Sequence, residues 1–433
     1  MNRDALRRFS VILFWTLLIA LTGLFFTNDF GLVDISKSSI ITAVGIDAAE
    51  NEVQVTAQIA VPKPSQSGDS VEYTEVQGSG ETIADALNEI NAKTGFYPKL
   101  QFCKLILLGD SCKEKNIFQM LGCFYRKNYS ELTALVAMCD GKAAEMLAMK
   151  TATSDMTSSV IQRALSEELK KSANVASSTL KCIAVSNFSK SEACYMPFVE
   201  ANEQGTSESG GNGDNVGGDK PQGGSEGGGS SSEGGSSGGG GSEGGEGGSS
   251  GGSSGGGQSG GGQEKKVEFT ARKTAIFKGG RFAGILDEQQ SFALNILKNE
   301  VRLAVLPCDT EEFHYTLGLK QSDSGIKLKV EDGKPQLNFK FSAYAQIAGI
   351  KKPVEPSETS SDDKIAPDVL KSAEDEIKNR IQSLMEVCVQ TDCDFLGVKE
   401  ELYKHNYKYY KELKDSVLQK LDFNYDIKIQ SVN

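Results

Sequence analysis

The residues of this chain that could do chemistry are two histidines, one glycine-aspartate-serine turn and two acidic pairs. His314 and His405 are the only histidines. Gly109-Asp110-Ser111 has the residue types of an esterase nucleophile turn, yet neither histidine follows an aspartate by three residues, as the DxxH arrangement of such enzymes requires. His314 lies in an alternating segment that predicts a strand, and His405 lies among lysines and tyrosines that predict a helix surface. We therefore expect both histidines to be surface residues and assign no catalytic residue.

The other candidate groups favour structural roles. The acidic pairs Asp287-Glu288 and Asp362-Asp363 suit helix caps and solvated loops better than glycoside cleavage, which needs two carboxyl groups about 5 to 10 Å apart in one cleft. The nine cysteines contain no CxxC pair, so neither zinc spacing nor a dense disulfide framework is predicted. Cys103 and Cys139 lie in apolar runs and are predicted to be buried thiols, while one or two bridges elsewhere stay open. We expect no metal and no cofactor.

Charge excludes a general nucleic-acid role. The formal net charge is −12, and the lysines are scattered among acids instead of forming a basic stripe that would neutralise phosphates. The run from Leu402 to Tyr410 (LYKHNYKYY) is rich in aromatic residues. It indicates either a protein-contact surface or a helix face packed on a sheet.

One apolar segment is suited to lipid. Phe9 to Phe26 carries no charge and no proline, and as a helix it would reach about 27 Å, close to the thickness of a bilayer core. Arginines precede it and aspartates follow it. The positive-inside rule therefore predicts a cytoplasmic tail at residues 1–8, a single-pass membrane anchor at residues 9–27 and an extracytoplasmic remainder. A cleaved signal peptide and a buried core helix are the alternatives.

A Gly/Ser tract at residues 205–262 divides the remainder. It holds 29 of the 47 glycines and has no hydrophobic periodicity, so we expect it to be disordered. Two interpretations stay open. The tract is either a spacer between two modules or a low-complexity insertion inside one folded unit.

The flanking regions, residues 34–203 and 267–433, predict α/β domains. In the first region the β-rich runs are residues 39–46, 53–61, 71–79, 102–108, 133–138, 180–185 and 194–199, with helical spacing between several of them. The second region predicts hairpins around Gly279-Gly280 and Asp332-Gly333-Lys334, a long amphipathic helix from Pro367, a helix at 398–418 and a last strand. The expected fold class is α/β (α+β), with mixed sheets in two or more extracytoplasmic domains after one transmembrane helix.

Four segments carry a resemblance to a known family. They are Val44-Gly45-Ile46-Asp47 with the strand after it, Gly80 to Leu87 with Lys99 to Gly109, Phe277 to Glu288, and Pro367 to Cys393 with Asp394-Phe395-Leu396-Gly397 and Glu401 to Lys404. In this order they resemble the Ger(x)C family, the C subunits of spore germinant receptors. The likeness covers nearly the whole chain outside the apolar segment and the tract.

The resemblance implies several α/β domains on the outer face of the inner spore membrane, beside an integral-membrane A-type subunit and a permease-like B-type subunit. Family members are typically lipoproteins, whereas this chain has the apolar segment and no cysteine before Cys103. It also inserts the Gly/Ser tract, and its only tryptophan, Trp15, lies in the apolar segment instead of the last helix.

The sequence thus leads to a first hypothesis, a non-catalytic subunit of a membrane-bound germinant receptor complex that acts in spore germination through protein–protein contacts. The alternative is a membrane-anchored extracytoplasmic adaptor or envelope protein that reuses the same fold. An extracytoplasmic enzyme is the third hypothesis, and it lacks a catalytic constellation. No binding residue is assigned at this stage.

Overall fold

The structure, a computed structural model, describes residues 3–27, 38–63, 70–126, 130–151, 156–171, 173, 175–203, 267–299, 301–310, 313–331, 333–351 and 365–432. The first helix, α1 (Arg3–Thr27), contains the apolar segment, and its described side chains are those of Phe9 and residues 11–23. Within the described residues, no helix combines the length and the apolar character that crossing a membrane requires. The disorder predicted for residues 205–262 lies outside the described residues.

The remaining elements alternate between strands and helices in the first region and form longer strands in the second. The strands are β1 (Ser38–Ala48), β2 (Val53–Lys63), β3 (Ser70–Gly80), β4 (Tyr97–Lys99), β5 (Leu105–Leu108), β6 (Leu135–Cys139), β7 (Ala193–Glu203), β8 (Val267–Lys278), β9 (Arg281–Leu286), β10 (Leu303–Asp309), β11 (His314–Glu331), β12 (Lys334–Lys351) and β13 (Asp422–Ser431). The helices are α2 (Ile83–Thr94), α3 (Ile117–Met120), α4 (Gly122–Arg126), α5 (Ala143–Ala148), α6 (Thr157–Lys171), α7 (Leu180–Phe188), α8 (Glu288–Leu297), α9 (Pro367–Gln390), α10 (Val398–His405) and α11 (Tyr407–Leu413).

The first sheet is mixed and has the strand order β3-β2-β1-β5-β6-β7-β8-β9, with β4 also paired to β1. Its centre, from β1 through β5 and β6 to β7, is parallel, and the strands on both sides are antiparallel. Strand β5 is buried along its whole length. Ile106 and Leu108 face one hydrophobic core, and Leu105 and Leu107 face another. Helices therefore cover both faces of the parallel centre, as a continuous apolar strand requires.

The second sheet has the order β10-β11-β12-β13 and packs against α9. The predicted stripe on α9 is confirmed, because Ala373, Ile377, Ile381, Leu384 and Cys388 have no exposed surface. They belong to a core that includes alternate residues of β10, β11 and β12. The mixed α/β fold class with two sheets is thus confirmed.

The two strands that flank the Gly/Ser tract form one antiparallel pair. Glu203, the last residue of β7, pairs with Val267, the first residue of β8. Strands β8 and β9 therefore complete the first sheet, although they follow the tract in sequence, and the second sheet begins at β10. This pairing agrees with the insertion interpretation. A spacer that separates two modules does not bring its own ends into register.

Two local predictions are wrong. Residues 180–185 form part of helix α7 instead of a strand, because the Thr179 hydroxyl accepts the N–H of Cys182 and caps the helix. Leu180 and Ile183 are buried one helical turn apart. The alternation of residues 312–319 and the apolar run at residues 326–330 predict two strands, but both belong to one strand, β11, which stays paired with β12 through a register shift after Gln321.

Candidate functional site

The structure separates the two histidines from each other and places both at the surface, as predicted. His314 begins β11, and its Nδ1 lies 2.5 Å from Oδ1 of Asp309, which ends the neighbouring strand β10. His405 ends α10 and its Nε2 lies 3.4 Å from Glu401 Oε1. Neither contact includes a serine or cysteine nucleophile, so each histidine is placed beside an acidic side chain and not in a nucleophile–base pair.

The glycine-aspartate-serine turn is also used for structure. The N–H of Asp110 donates to the Gly141 carbonyl at 2.7 Å, and the Ser111 hydroxyl accepts the N–H of Ala48 at 2.9 Å. Both bonds join the ends of neighbouring strands. Of the acidic pairs, Asp287 caps α8 in a capping box with Gln290, as predicted, while residues 362–363 lie outside the described residues.

The possible metal ligands and the predicted buried thiols of the described residues also have structural surroundings. In the described ranges, no group of three or more His, Cys, Asp or Glu side chains is arranged to hold a metal ion. Cys103 and Cys139 are buried, as predicted. Burial raises the pKa of Cys103 to about 12, which keeps the thiol protonated at neutral pH.

Asp47 is a buried carboxylate that caps a helix. It ends the motif Val44-Gly45-Ile46-Asp47 and accepts the N–H groups of Ala143 at 2.8 Å and Ala144 at 3.0 Å, at the start of α5. Burial raises the pKa of Asp47, and the two backbone donors oppose that rise. A Cβ at Gly45 would lie 2.9 Å from Leu147 Cδ1 and 3.2 Å from Ala143 Cβ, so glycine allows α5 to lie close to β1. The motif therefore serves helix–strand packing.

A second buried carboxylate joins the two halves of the chain. Asp394, in the segment after α9, accepts the Ser191 hydroxyl at 2.6 Å. It also accepts the N–H groups of Gly397 at 3.0 Å, Val398 at 2.9 Å and Lys399 at 2.7 Å. Burial raises the pKa of Asp394, and the bond from Ser191 is the largest opposing effect. The carboxylate thus caps α10 and fastens it to the turn before β7.

Glu400 adds a second contact at the same place. Its Oε2 accepts the N–H of Lys190 at 2.7 Å and lies 3.4 Å from the Ser189 hydroxyl. The backbone bond from Lys190 lowers the pKa of Glu400. We call Ser191, Asp394 and Glu400 the interdomain clamp. The sequence indicated the motif that contains Asp394 but gave no signal for its partners, which lie about two hundred residues earlier.

The lowered pKa of Glu400 predicts a pH-dependent stability difference. The carboxylate favours the folded state above its unfolded pKa of about 4.3, and this contribution is lost as pH falls through the lower folded pKa. Glu400→Gln is therefore expected to lower the free energy of unfolding by about 1 kcal/mol at pH 7. Urea unfolding of both proteins at pH 7 and pH 3 should show the difference shrink in acid. A difference that grows in acid would contradict the assignment.

A tyrosine surface lies beside the clamp. The rings of Tyr403, Tyr407 and Tyr410 form a triangle with centroid distances of 5.2, 5.6 and 6.2 Å. Tyr403 and Tyr407 are 40% and 52% exposed. Lys190 Nζ lies 5.1 Å from the Tyr403 centroid, and Lys411 Nζ lies 4.8 Å from the Tyr407 centroid. This surface, defined by the three tyrosines and two lysines, suits protein contact because aromatic residues are enriched at interfaces.

The Leu402–Tyr410 run packs in part on the core, and its role in protein contact stays a prediction. The run is split into α10 and α11 at Asn406. Leu402 is buried in the core of the second half, and Tyr409 packs against the same core. Of the tyrosine surface, Tyr410 also packs against this core, while Tyr403 and Tyr407 are exposed.

Comparisons with known proteins agree with the resemblance found in the sequence. Residues 32–201 match the family model described as spore germination protein N-terminal domain, and residues 272–432 match the model described as spore germination B3/GerAC like, C-terminal. The solved structure described as "Crystal Structure of the GerBC protein" is similar, with 14% identity, a TM-score of 0.47, and coverage of 90% of this chain and 97% of that chain. No curated protein matches the chain. Since the two models match both halves in order, the chain belongs to the Ger(x)C family of spore germination proteins.

Proposed function

We propose that this chain is a non-catalytic subunit of a membrane-bound germinant receptor complex that acts in spore germination through protein–protein contacts. The observation that carries the proposal is the match of both family models in chain order. The partners are an integral-membrane A-type subunit and a permease-like B-type subunit. The chain binds no nucleic acid and uses no cofactor.

The use of its buried acids supports a non-catalytic role. Carboxylates with a raised pKa in a cleft are common at active sites. Here Asp47 and Asp394 have raised pKa values. Each carboxylate caps a helix by accepting backbone N–H groups at the start of that helix. Their shifts are explained by fold geometry without a substrate.

The proposed location is the outer face of a membrane. Residues 9–27, which lie in α1, act as the single-pass anchor, and residues 1–8 lie in the cytoplasm. The mixed α/β body of residues 34–203 and 267–433 is extracytoplasmic, and the Gly/Ser tract at residues 205–262 is an insertion in its sequence. The apolar composition of Phe9 to Phe26 and the arginines before it support this arrangement.

Co-purification tests the assignment. An affinity-tagged copy of the full chain, solubilised from its own membrane, should bring down multi-span A-type and permease-like B-type subunits, and deletion of its gene should slow nutrient-triggered germination. Unchanged germination together with envelope proteins in place of these subunits would favour the alternative of a membrane-anchored adaptor that reuses the fold.

The tyrosine surface is the proposed contact with these subunits. Tyr403→Ala with Tyr407→Ala is expected to lower recovery of the A-type and B-type subunits about tenfold, because buried tyrosines at an interface often contribute more than 1 kcal/mol each. Tyr344→Ala is the matched control, since Tyr344 is 45% exposed on β12. Equal recovery with both variants would show that the contact lies elsewhere.

A further inference from the structure

Several parallel strands of the first sheet begin at one edge. Strand β1 starts at Ser38, which pairs with Tyr97 in the parallel strand β4. Leu105, the start of β5, pairs with Leu135, the start of β6, and both strands run parallel to β1. We call this the amino edge and define it by residues 38–40, 96–104 and 131–135. Neighbouring strands are about 4.8 Å apart, so these segments form one continuous border.

Large apolar side chains are exposed along the amino edge. Phe96 and Tyr97, at the start of β4, are 45% and 41% exposed. Phe102, in the turn that leads into β5, is 53% exposed, and Leu132, just before β6, is 46% exposed. Four such residues on one border form an apolar surface of the kind that marks an interaction site.

Lysines flank these side chains although the chain as a whole is acidic. Lys99 lies in β4, and the N–H of Lys104 donates to the Thr42 carbonyl at 3.0 Å beside β1. The N–H of Lys181 donates to the Leu132 carbonyl at 2.9 Å. Within the amino edge as defined, the two lysines Lys99 and Lys104 outnumber the one acid, Glu131, and Lys181 lies beside this border. The net charge of the chain is −12, so the amino edge is locally opposite in sign to the whole.

The chain enters the folded body at this edge from α1. Ten residues separate Thr27, the end of α1, from Ser38. A segment of this length reaches at most about 35 Å. When α1 lies in a bilayer, the start of β1 is therefore held near the membrane surface.

We propose that the amino edge rests on the surface of an anionic lipid bilayer, with Phe96, Tyr97, Phe102 and Leu132 at the interface. This inference rests on the proposed anchoring of α1 for its geometry. Exposed aromatic rings favour the headgroup region. The long stems of Lys99, Lys104 and Lys181 place their ammonium groups among anionic headgroups, which attract them. Together these features match a flat anionic lipid surface.

Tryptophan fluorescence tests the contact and the anchor separately, because Trp15 is the only tryptophan. The full chain is reconstituted in phosphatidylglycerol–phosphatidylcholine vesicles with or without brominated acyl chains, which quench nearby indoles. The native protein reports on α1 through Trp15. Phe102→Trp in a Trp15→Phe background reports on the amino edge. Asn51→Trp in the same background is the control, because Asn51 is exposed in the turn after β1, roughly 35 Å along the strand from Ser38.

Brominated lipid should lower the fluorescence of the Phe102→Trp protein by roughly half and leave the Asn51→Trp protein unchanged. Quenching of Trp15 without quenching of the Phe102→Trp indole would overturn the amino-edge contact while the anchor stands. Quenching of the Phe102→Trp indole without quenching of Trp15 would support the amino-edge contact and contradict the membrane anchor. Equal quenching of the Phe102→Trp and Asn51→Trp proteins would also overturn the contact, because it would indicate no preferred edge.

Lipid charge gives an independent readout. Quenching of the Phe102→Trp protein should weaken when phosphatidylglycerol is omitted. It should also weaken when Lys99, Lys104 and Lys181 are all replaced by glutamine, with an effect on the contact equilibrium of about fivefold for each lysine. Replacement of Lys334, Lys340 and Lys351 of β12 by glutamine is the matched control. The anionic-surface proposal would be overturned if quenching stayed the same both without phosphatidylglycerol and after replacement of the three lysines.

Discussion

Replacing Asp394 with asparagine is expected to lower the free energy of unfolding by about 3 kcal/mol at pH 7. Both carboxylate oxygens are fully used, since Oδ1 accepts two backbone N–H groups and Oδ2 accepts one N–H and the Ser191 hydroxyl. Asparagine has the same shape but turns an NH₂ group toward two of these donors. Because the site is 1% exposed, water cannot replace the lost acceptor.

Asp392→Asn provides the control for this prediction. Asp392 lies two residues earlier, is partly exposed and pairs with Lys278 at 2.5 Å. A partly exposed ion pair contributes at most about 1 kcal/mol, so its removal should have a small effect. Urea unfolding of the full chain in detergent, followed by far-UV circular dichroism, compares the two variants. Losses of equal size would contradict the central role assigned to Asp394.

The clamp links the two halves through the turn before β7. Ser191→Ala removes one donor from Asp394, and Glu400→Gln weakens the neighbouring bond to Lys190. Since both contacts hold the same turn, the two substitutions should not be additive. The tyrosine surface is beside this turn, because Lys190 contacts Tyr403. Fastening α10 to the first half therefore also fixes the position of the proposed contact surface.

The sequence predicts elements whose signals are local. Asp287 and Gln290 form the capping box that their spacing indicates. The strand β2 and the apolar stripe of α9 occur where side-chain periodicity places them. The half-buried character predicted for β2 is wrong, because Thr56 and Gln58 on its polar side are fully buried. Helix α7 was the exception, since Leu180 to Val185 is a short, mostly apolar run whose periodicity does not distinguish a buried helix from a strand.

Long-range features could not be predicted. The bond between Ser191 and Asp394 spans 203 residues, and no local pattern indicates that a serine in a turn will meet a carboxylate so far along the chain. The pairing of β7 with β8 spans the Gly/Ser tract, whose composition allows both a spacer and an insertion. The burial of Asp47 could not be predicted either. The motif that contains it shows an acid at the end of a strand, but it does not indicate that the start of helix α5 packs against that acid.

Deleting residues 205–262 is expected to preserve the fold and raise the free energy of unfolding by about 2 kcal/mol. The deletion shortens the connection between β7 and β8 from 63 residues to five, a length that antiparallel hairpins commonly use. Each doubling of a flexible loop costs about 0.6 kcal/mol in closure entropy, and the change removes between three and four doublings. Urea unfolding in detergent gives the free energy, and circular dichroism reports whether the sheet content is kept.

A graded series separates this cause from any specific contact of the tract. Removing residues 205–233 leaves about half of the connection, so it should gain only about 0.6 kcal/mol, and the full deletion should gain the rest. A logarithmic dependence on length is what chain entropy requires, whereas a specific contact would be lost in one step. Were the tract a spacer between independent modules, removing it would force the modules together and the protein would lose stability. The register of Glu203 with Val267 leads us to expect the gain, because the two strand ends are already neighbours in the folded chain.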